Sequence, residues 1–374
     1  MFRQNIFKKF LSITIVWVLL LVIFFWIDNH KLGTYQHQQQ GISAPPVICP
    51  YSILVEDSIG YGTVNITYSL TYKGPVVEGW PPEKDRYMPH YIFPGKNTFS
   101  IQPPPSYFKD CHLLVVVTSR RDNLQERQNI RETWKLQAIL NHACVIFIIG
   151  SRTGEMDTAI DEKISKEANK HQDILQAEMV DHYNNLTLKS VMMLKFFVNE
   201  SNFHDYKPPY YLMKTDDDSY VNLHQLLQLL HVENLKNLSF ILGHRRDTPK
   251  TLAPIQNKKS KWFVPEYFFN GTSYPVFMAG PGYVMTRPAA KCLYEKSLNL
   301  PYFFLEDVFM GFAAENCRIP RYHCDAFHRT RPKDYKTVKG TDIVWTDFHE
   351  NGMMEKMHHI FEKQMNSTCN TLAK

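Results

Sequence analysis

The sequence predicts an α/β domain on a largely parallel sheet, carried behind one apolar N-terminal segment. Three observations lead there. Short β-branched apolar runs recur at His112 to Thr118, Cys144 to Gly150 and Tyr210 to Met213, the texture of strands buried on both faces. Helix-length stretches fall between them at 124–140, 158–171 and 185–198, the last amphipathic through Leu188, Val191, Met192 and Lys195, and such alternation implies parallel crossovers. One run is long enough to span a bilayer: Phe10 to Ile27, 18 residues in which Ser12 and Thr14 are the polar members. At 1.5 Å per residue it reaches about 27 Å.

Composition narrows the class. The chain has 374 residues, 44% of them hydrophobic and 21% charged, with a formal net charge of +5. That suffices for a sizeable core, excludes wholesale disorder, and sets a prior of two or three units. The positive excess is spread without a basic block, so no nucleic-acid partner is expected. A single apolar run excludes a multi-pass protein.

In chain order, residues 1–9 form a short tail with Arg3, Lys8 and Lys9, and 10–27 the apolar run, followed by Asp28. Positive residues on the amino side keep that end cytosolic, giving a type II signal anchor with the body luminal. The rival is a cleaved signal peptide, but Trp17, Phe24, Phe25 and Trp26 make the run bulky, and it lacks a small-residue cleavage site. Residues 28–108 are expected to be a luminal stem: Gln36 to Gln40 is a polar tract, and Pro45, Pro46, Pro81, Pro82, Pro103, Pro104 and Pro105 favour extended backbone. Asn65 to Tyr72 alternates enough for one strand. The folded domain occupies 109–374. Asn-x-Ser/Thr acceptors stand at Asn65, Asn185, Asn199, Asn237, Asn270 and Asn366, and all seven cysteines follow the anchor. Both suit an oxidising lumen. Spacing leaves the disulfide connectivity open, and an odd count leaves one thiol free or intermolecularly paired.

In open α/β sheets ligands bind at the carboxyl ends of strands. There the chain carries Asp216-Asp217-Asp218, just past the run Tyr210 to Met213. In extended backbone Asp216 and Asp218 share a face. Such carboxylates repel unless a cation meets them, and hard oxygens suit Mg²⁺ or Mn²⁺ holding a phosphate. A solvated acidic turn explains the triplet equally well on its own. A second acidic pair, Glu306-Asp307, lies between Tyr302-Phe-Phe-Leu305 and Val308-Phe309. It is either a helix start or a general base whose pKa an apolar surround raises. The segment Tyr274 to Thr286 sets Gly280 and Gly282 among aromatics, and Trp262 stands between Lys261 and Phe263. Either is a turn or core feature, or a wall against which a sugar stacks.

Five ordered blocks together resemble the β-1,3-glycosyltransferase family that holds β-1,3-galactosyl- and β-1,3-N-acetylglucosaminyltransferases, glycosyltransferase family 31. They are Arg127-Gln-Asn-Ile130-Arg131-Glu-Thr133-Trp134, Asp181-His-Tyr183-Asn-Asn185-Leu-Thr187-Leu-Lys189-Ser190, Lys214-Thr-Asp216-Asp217-Asp218-Ser-Tyr220-Val-Asn222, Tyr274-Pro275 through Gly280-Pro-Gly282-Tyr283-Val284, and Glu306-Asp307-Val308 with Gly311. The resemblance spans Leu113 to His359. It implies a glycosyltransferase-A type, Rossmann-like fold on a Golgi membrane anchor. It also implies a UDP-sugar donor, Mn²⁺ (or Mg²⁺), a glycan acceptor on glycoprotein or glycolipid, and inversion at the anomeric carbon. On this reading Asp307 is the base and Glu306 orients it or meets the acceptor. Asp218 is the main metal ligand, with Asp216 on metal or ribose. Asp217, Arg127, Arg131 and Lys189 lie toward the donor. Trp262, Tyr274, Gly280 and Gly282 lie toward the acceptor. A histidine ligand is implied near the carboxyl end; His349 precedes Met353 to Phe361 as the family pattern requires, with His323 and His328 as rivals. Two positions depart from the pattern: His182 replaces a common Ser, and Ala313 lies where a Cys is frequent.

The segment Ser260-Lys261-Trp262-Phe263-Val264-Pro265 resembles the galactosyl branch more closely, which makes UDP-galactose the expected donor. N-acetylglucosamine or N-acetylgalactosamine transfer, a non-catalytic glycan-binding protein and a Ca²⁺-binding adhesion protein are the alternatives.

Overall fold

The computed structural model describes residues 72–372 apart from 139–140, 153–157, 205, 232–234 and 351. The apolar run 10–27, most of the expected stem, and Asn65 lie outside the described residues, as does the side chain of Asn366. No helix among the described residues is long and apolar enough to cross a membrane.

Among the described residues ten strands form two sheets. They are β1 Phe99–Ile101, β2 Leu113–Thr118, β3 Ala143–Arg152, β4 Ile174–Val180, β5 Tyr211–Asp216, β6 Tyr220–Val221, β7 Ile241–Arg246, β8 Phe277–Thr286, β9 Arg321–His323 and β10 Val344–Trp345. The large sheet has the order β1-β4-β3-β2-β5-β8-β7-β9, and β6 pairs with β10. The central four, β4-β3-β2-β5, are parallel. β8 runs antiparallel between β5 and β7, so β5 and β7 point the same way.

The expected α/β alternation is therefore present, on a mixed sheet. Every residue of β2 is buried, as a central strand covered on both faces requires. Helix Leu186–Val198 packs on β2, β3 and β4 and against helices Arg287–Ser297 and Glu306–Asn316. It is not amphipathic: Thr187 through Phe197 are all buried, because neighbours cover it on every side. The helix expected over 124–140 ends at Glu132, and a 3₁₀ turn Trp134–Gln137 follows. Thr133 breaks the run with φ −121° and ψ −112°. Trp134 then enters the core, where its Nε1 donates to the Ser219 carbonyl at 3.0 Å.

The largest correction concerns the stem. Its described part, Val77 onward, is packed into the body. β1 pairs antiparallel with β4 at the sheet edge. Trp80 stacks on Tyr302 with ring centroids 3.5 Å apart, and its indole N–H donates to Asn185 Oδ1 at 2.8 Å. The Tyr267 hydroxyl accepts from Val77 N–H and donates to the Trp80 carbonyl. The Lys195 ammonium donates to the carbonyls of Ile92, Phe93 and Lys96 and to Thr98 Oγ1, and burial lowers its pKa to about 8. Prolines fix φ but do not prevent packing, and large aromatics dominate core energetics. The folded domain thus begins before residue 109. A chain truncated to start at 109 is expected to aggregate, whereas one starting near 72 unfolds cooperatively; circular dichroism melts check this.

Cys111 bonds Cys144, and Cys292 bonds Cys317. The acceptor asparagines Asn199, Asn237 and Asn270 are exposed. Asn185 differs: its amide accepts from Trp80 and donates to the Val180 carbonyl. A glycan there would replace one of the two hydrogens on the nitrogen that donates to Val180.

Candidate active site

β2 and β5 end side by side, with Thr118 opposite Asp216. Asp216 is the last residue of β5, and the chain then turns, Ser219 N–H donating to the Asp216 carbonyl. The turn replaces the alternation expected of extended backbone, so the three carboxylates take three directions. Asp216 Oδ1 accepts from Thr118 Oγ1 at 2.6 Å and Lys214 Nζ at 2.7 Å. Asp217 Oδ2 accepts from Ser119 Oγ at 2.7 Å and Asn123 Nδ2 at 2.8 Å. Asp218 faces the carboxyl-terminal segment, accepting from Thr346 Oγ1 at 3.1 Å.

That segment arrives through the small sheet, whose register sets Trp345 against Tyr220. Phe348 N–H then donates to the Asp218 carbonyl at 3.0 Å. The result is a cluster of Asp218, Asp347 and His349, with one candidate ligand atom from each lying within 4.8 Å of the others. His349 Nε2 is 3.3 Å from Asp218 Oδ2. Asp347 holds φ +68°, a region costly outside glycine and more frequent at functional sites. Burial, then the charges of Asp216 and Asp217, raise Asp218 to about 6, with His349 opposing. Two carboxylates and an imidazole fit a hard divalent cation such as Mn²⁺ or Mg²⁺, and the like-charge strain on Asp218 is what a cation would relieve. Asp216 is outside this cluster. Of the rival histidines, His323 lies against Asp325 and His328 stacks on Trp345.

The second acidic pair opens helix Glu306–Asn316, both residues in its first turn, where the macrodipole favours them. The helix-start expectation for this pair is therefore met. Glu306 is buried and engaged: Tyr283 OH donates to Oε1 at 2.6 Å, and Lys214 Nζ is 3.7 Å from Oε2. Lys214 also donates to the Gly280 carbonyl at 2.7 Å. It thereby joins the acidic triplet, the glycine segment and the Glu306 carboxylate. At Gly280 a Cβ would stand 3.9 Å from Lys214 Nζ and 4.0 Å from Glu306 Oε2. Gly282 passes close to Val344, where a Cβ would meet Cγ2 at 3.2 Å.

Asp307 is different. Its Oδ1 accepts from the adjacent Val308 N–H, and it has no ion-pair partner among the described residues. Burial, then the Glu306 charge, push its pKa up to about 7. Around it stand aromatics. Tyr274 is buried, its hydroxyl lacks a hydrogen-bond partner, and the Asp307 charge helps hold that hydroxyl protonated. Trp262 and Tyr183 are each 49% exposed, with the Lys261 ammonium 5.0 Å and 5.3 Å from their ring centroids. Burial raises the Tyr183 pKa, Trp262 opposes through a hydrogen bond, and the charges of Asp307 and Asp216 reinforce it. Tyr183 and Tyr274 thus lie within reach of the Asp307 charge, and Trp262 adjoins Tyr183.

The three cations expected at the donor are placed differently. Arg127 is fully buried, bidentate to Glu167 at 2.9 and 2.7 Å, and donates to Ser119 Oγ and the Arg120 carbonyl. Lys189 donates to the Ser119 carbonyl and Asp181 Oδ1. Both hold the loop after β2, whose Ser119 and Asn123 in turn hold Asp217. Arg131 lies at the other end of its helix, paired with Asp173 and Glu167, at the amino ends of the strands. Arg127→Ala is expected to destabilise the fold by about 3 kcal/mol, the low end for a broken buried pair, because Glu167 loses its bidentate partner but keeps Arg131; urea denaturation checks this.

Sequence reasoning missed four residues. Asp181 accepts from the backbone of Arg121 and Gly150 as well as Lys189, tying three strand ends together. Lys214 and Tyr183 stood inside quoted motifs without a role. Asp347 lies two residues before His349, a spacing that shares one face in extended backbone, and that was the available signal.

The family model described as Galactosyltransferase matches residues 125–325, which hold the triplet and the Glu306-Asp307 pair. The chain belongs to the galactosyltransferase family. Among galactosyltransferases it is 32% identical over 216 residues to human β-1,3-galactosyltransferase 5, covering 56% of this chain and 66% of that protein. It is 26% identical over 276 residues to mouse β-1,3-galactosyltransferase 2, covering 72% of this chain and 63% of that one. The chain thus spans about two thirds of the length of these relatives. A solved structure, mouse xyloside xylosyltransferase 1 in its apo form, aligns at 12% identity with a TM-score of 0.33, covering 65% of this chain and 98% of that one. Similarity that low carries no weight for the fold.

Proposed function

We propose that this galactosyltransferase-family chain transfers galactose from UDP-galactose to the 3-hydroxyl of an acceptor sugar, inverting the anomeric carbon to give a β-1,3 linkage. The observation that carries the reading is Asp307: a carboxylate without an ion-pair partner, raised to about 7, beside exposed aromatic rings. A glycosyltransferase-A type fold is part of the same reading.

Asp307 accepts the proton of the acceptor 3-hydroxyl as its oxygen attacks the anomeric carbon. The bond from that carbon to the diphosphate breaks, and UDP leaves with the electron pair. Attack and departure on opposite faces give inversion, and a single base on the attacking face suffices. Glu306, held by Tyr283, and Lys214 fix the helix start that carries Asp307. Trp262 and Tyr183 offer faces for sugar stacking, and the unpartnered Tyr274 hydroxyl is a donor available to the acceptor. Asp218, Asp347 and His349 would hold Mn²⁺ or Mg²⁺, which when bound neutralises charge on the leaving diphosphate. Asp216 and Asp217 remain on the donor side through the loop that Arg127 and Lys189 brace. A luminal place on a Golgi membrane goes with this reading, supported by disulfides such as Cys111–Cys144 and Cys292–Cys317 and by the apolar run Phe10 to Ile27.

The test is UDP release by the full chain from UDP-galactose, UDP-N-acetylglucosamine and UDP-N-acetylgalactosamine, over a panel of acceptor sugars, with Mn²⁺ or EDTA. Metal-dependent turnover of UDP-galactose is expected. Turnover confined to another donor would reassign the sugar, and no turnover of any donor would remove the transferase reading. Protonated Asp307 cannot accept a proton, so kcat/KM is expected to fall about tenfold per pH unit below pH about 7 and to level above it. A flat profile down to pH 5 would exclude Asp307 as base.

A further inference from the structure

A cavity of about 610 Å³ opens away from the acidic residues described above. Its walls come from the segment before β2, the start of β3, the segment before β4 and the end of helix Leu124–Glu132 with its following turn. These are the amino ends of the parallel strands. Asp216 and the loop after Thr118 lie at the carboxyl ends, about 20 Å away along a six-residue strand.

The lining is cationic. Lys109, Arg131, Lys135 and Lys170 outnumber the acids Asp110 and Asp173 four to two. Asp173 and, behind the wall, Glu167 balance Arg131 and Lys135, so the surplus lies on Lys109 and Lys170. Asp173 is buried, with both carboxylate oxygens engaged by Arg131 and one also by Lys135. Asp110 is exposed and makes no ion pair with Lys109 among the described residues. Lys109 and Lys170 are exposed, and among the described residues their ammonium groups have no hydrogen-bond or ion-pair partner. Burial, then Arg131, lower the His171 pKa, with Asp173 opposing and Lys170 and Lys135 adding to the lowering.

Shape and apolar surface restrict the ligand. A single tetrahedral oxyanion fills only a corner of such a volume, which lies within the range of small-molecule pockets. Leu136 is 60% exposed on one wall, and the Tyr107 ring is part of another. Sugar rings present C–H faces that suit such surfaces, and their anionic substituents suit unpaired ammonium groups. The concave form is the wrong shape for a flat lipid surface.

We propose that this cavity binds a sulfated or phosphorylated saccharide of about disaccharide size, at a site separate from donor and acceptor. The proposal is independent of the transfer reaction.

Calorimetric titration of the full chain with a sulfated disaccharide tests it, against the same disaccharide without sulfate, inorganic sulfate, and phosphatidylserine vesicles. The expected result is saturable binding of the sulfated disaccharide that weakens as salt rises from about 50 to 200 mM. Lys109→Gln with Lys170→Gln should weaken it at least about tenfold, with unchanged Tm and unchanged UDP release. Leu136→Ser should weaken the disaccharide but not inorganic sulfate. Binding unaffected by the lysine substitutions would overturn the site. Equal binding of the unsulfated sugar, or inorganic sulfate binding as tightly as the disaccharide, would overturn the ligand class. So would an absence of disaccharide binding, with or without vesicle binding.

Discussion

Asp307→Asn is expected to lower transfer by about 10²–10⁴-fold, the usual contribution of a positioned general base, while the protein stays folded. Asparagine keeps the shape and can still accept from Val308 N–H through its carbonyl, the one hydrogen bond seen at Asp307 Oδ1. Stability should not suffer. Burial and Glu306 raise the folded-state pKa from 3.8 to about 7, so folding disfavours the charged form. That cost is fully present above pH about 7 and disappears below the unfolded value, near 4. At pH 7.5 the asparagine variant should therefore melt no lower than the wild type, and its activity loss cannot be ascribed to unfolding. Glu306→Gln makes an informative contrast. It disturbs a bonded, buried carboxylate rather than a free one, so its effect should include a lowered Tm. Full transfer activity in Asp307→Asn would sink the mechanism; melting curves and UDP-release assays decide both points.

Removing the metal cluster should have the second largest effect. Asp218→Ala and Asp347→Ala are each expected to weaken Mn²⁺ binding by at least about 100-fold, since even outer-shell partners cost 10–100-fold. The Mn²⁺-dependent rise in melting temperature with UDP should vanish with it, because stabilisation by a ligand follows its affinity. His349→Gln should follow the same pattern. His323→Gln and His328→Gln should not, since these side chains lie against Asp325 and Trp345. A retained Mn²⁺–UDP shift in Asp347→Ala would remove Asp347 from the ligand set. EDTA should reproduce the aspartate phenotype in the wild type, reversibly on adding Mn²⁺.

The strands of the parallel core were legible because burial on both faces writes itself as an apolar run, as in β2 and β3. Helix Thr158–His171 was legible from its polar face and its length. The helix through 124–140 was not, because its break at Thr133 comes from Trp134 seeking the core and Ser219, 85 residues on. The stem boundary failed for a related reason. Proline spacing suggested a linker, whereas Trp80 and Tyr267 meet only in the folded chain.

The chemistry divides in the same way. By itself the sequence determined the residue types: an acidic triplet after a strand, an acidic pair inside an apolar run, glycines among aromatics, and a family resemblance across ordered blocks. Tertiary structure alone decided which carboxylates are free. Glu306 and Asp307 are adjacent and alike in sequence, but Tyr283 hydrogen-bonds and Lys214 ion-pairs with only the first. Arg127 and Lys189 carry the charge expected at a diphosphate, yet Glu167 and Asp181 already occupy them. Asp347 joins Asp218 across 128 intervening positions because β10 pairs with β6. Local patterning records what one segment needs for burial and backbone geometry. The partner of a charge is fixed by contacts distant in sequence, and whether that charge is engaged or available follows from them.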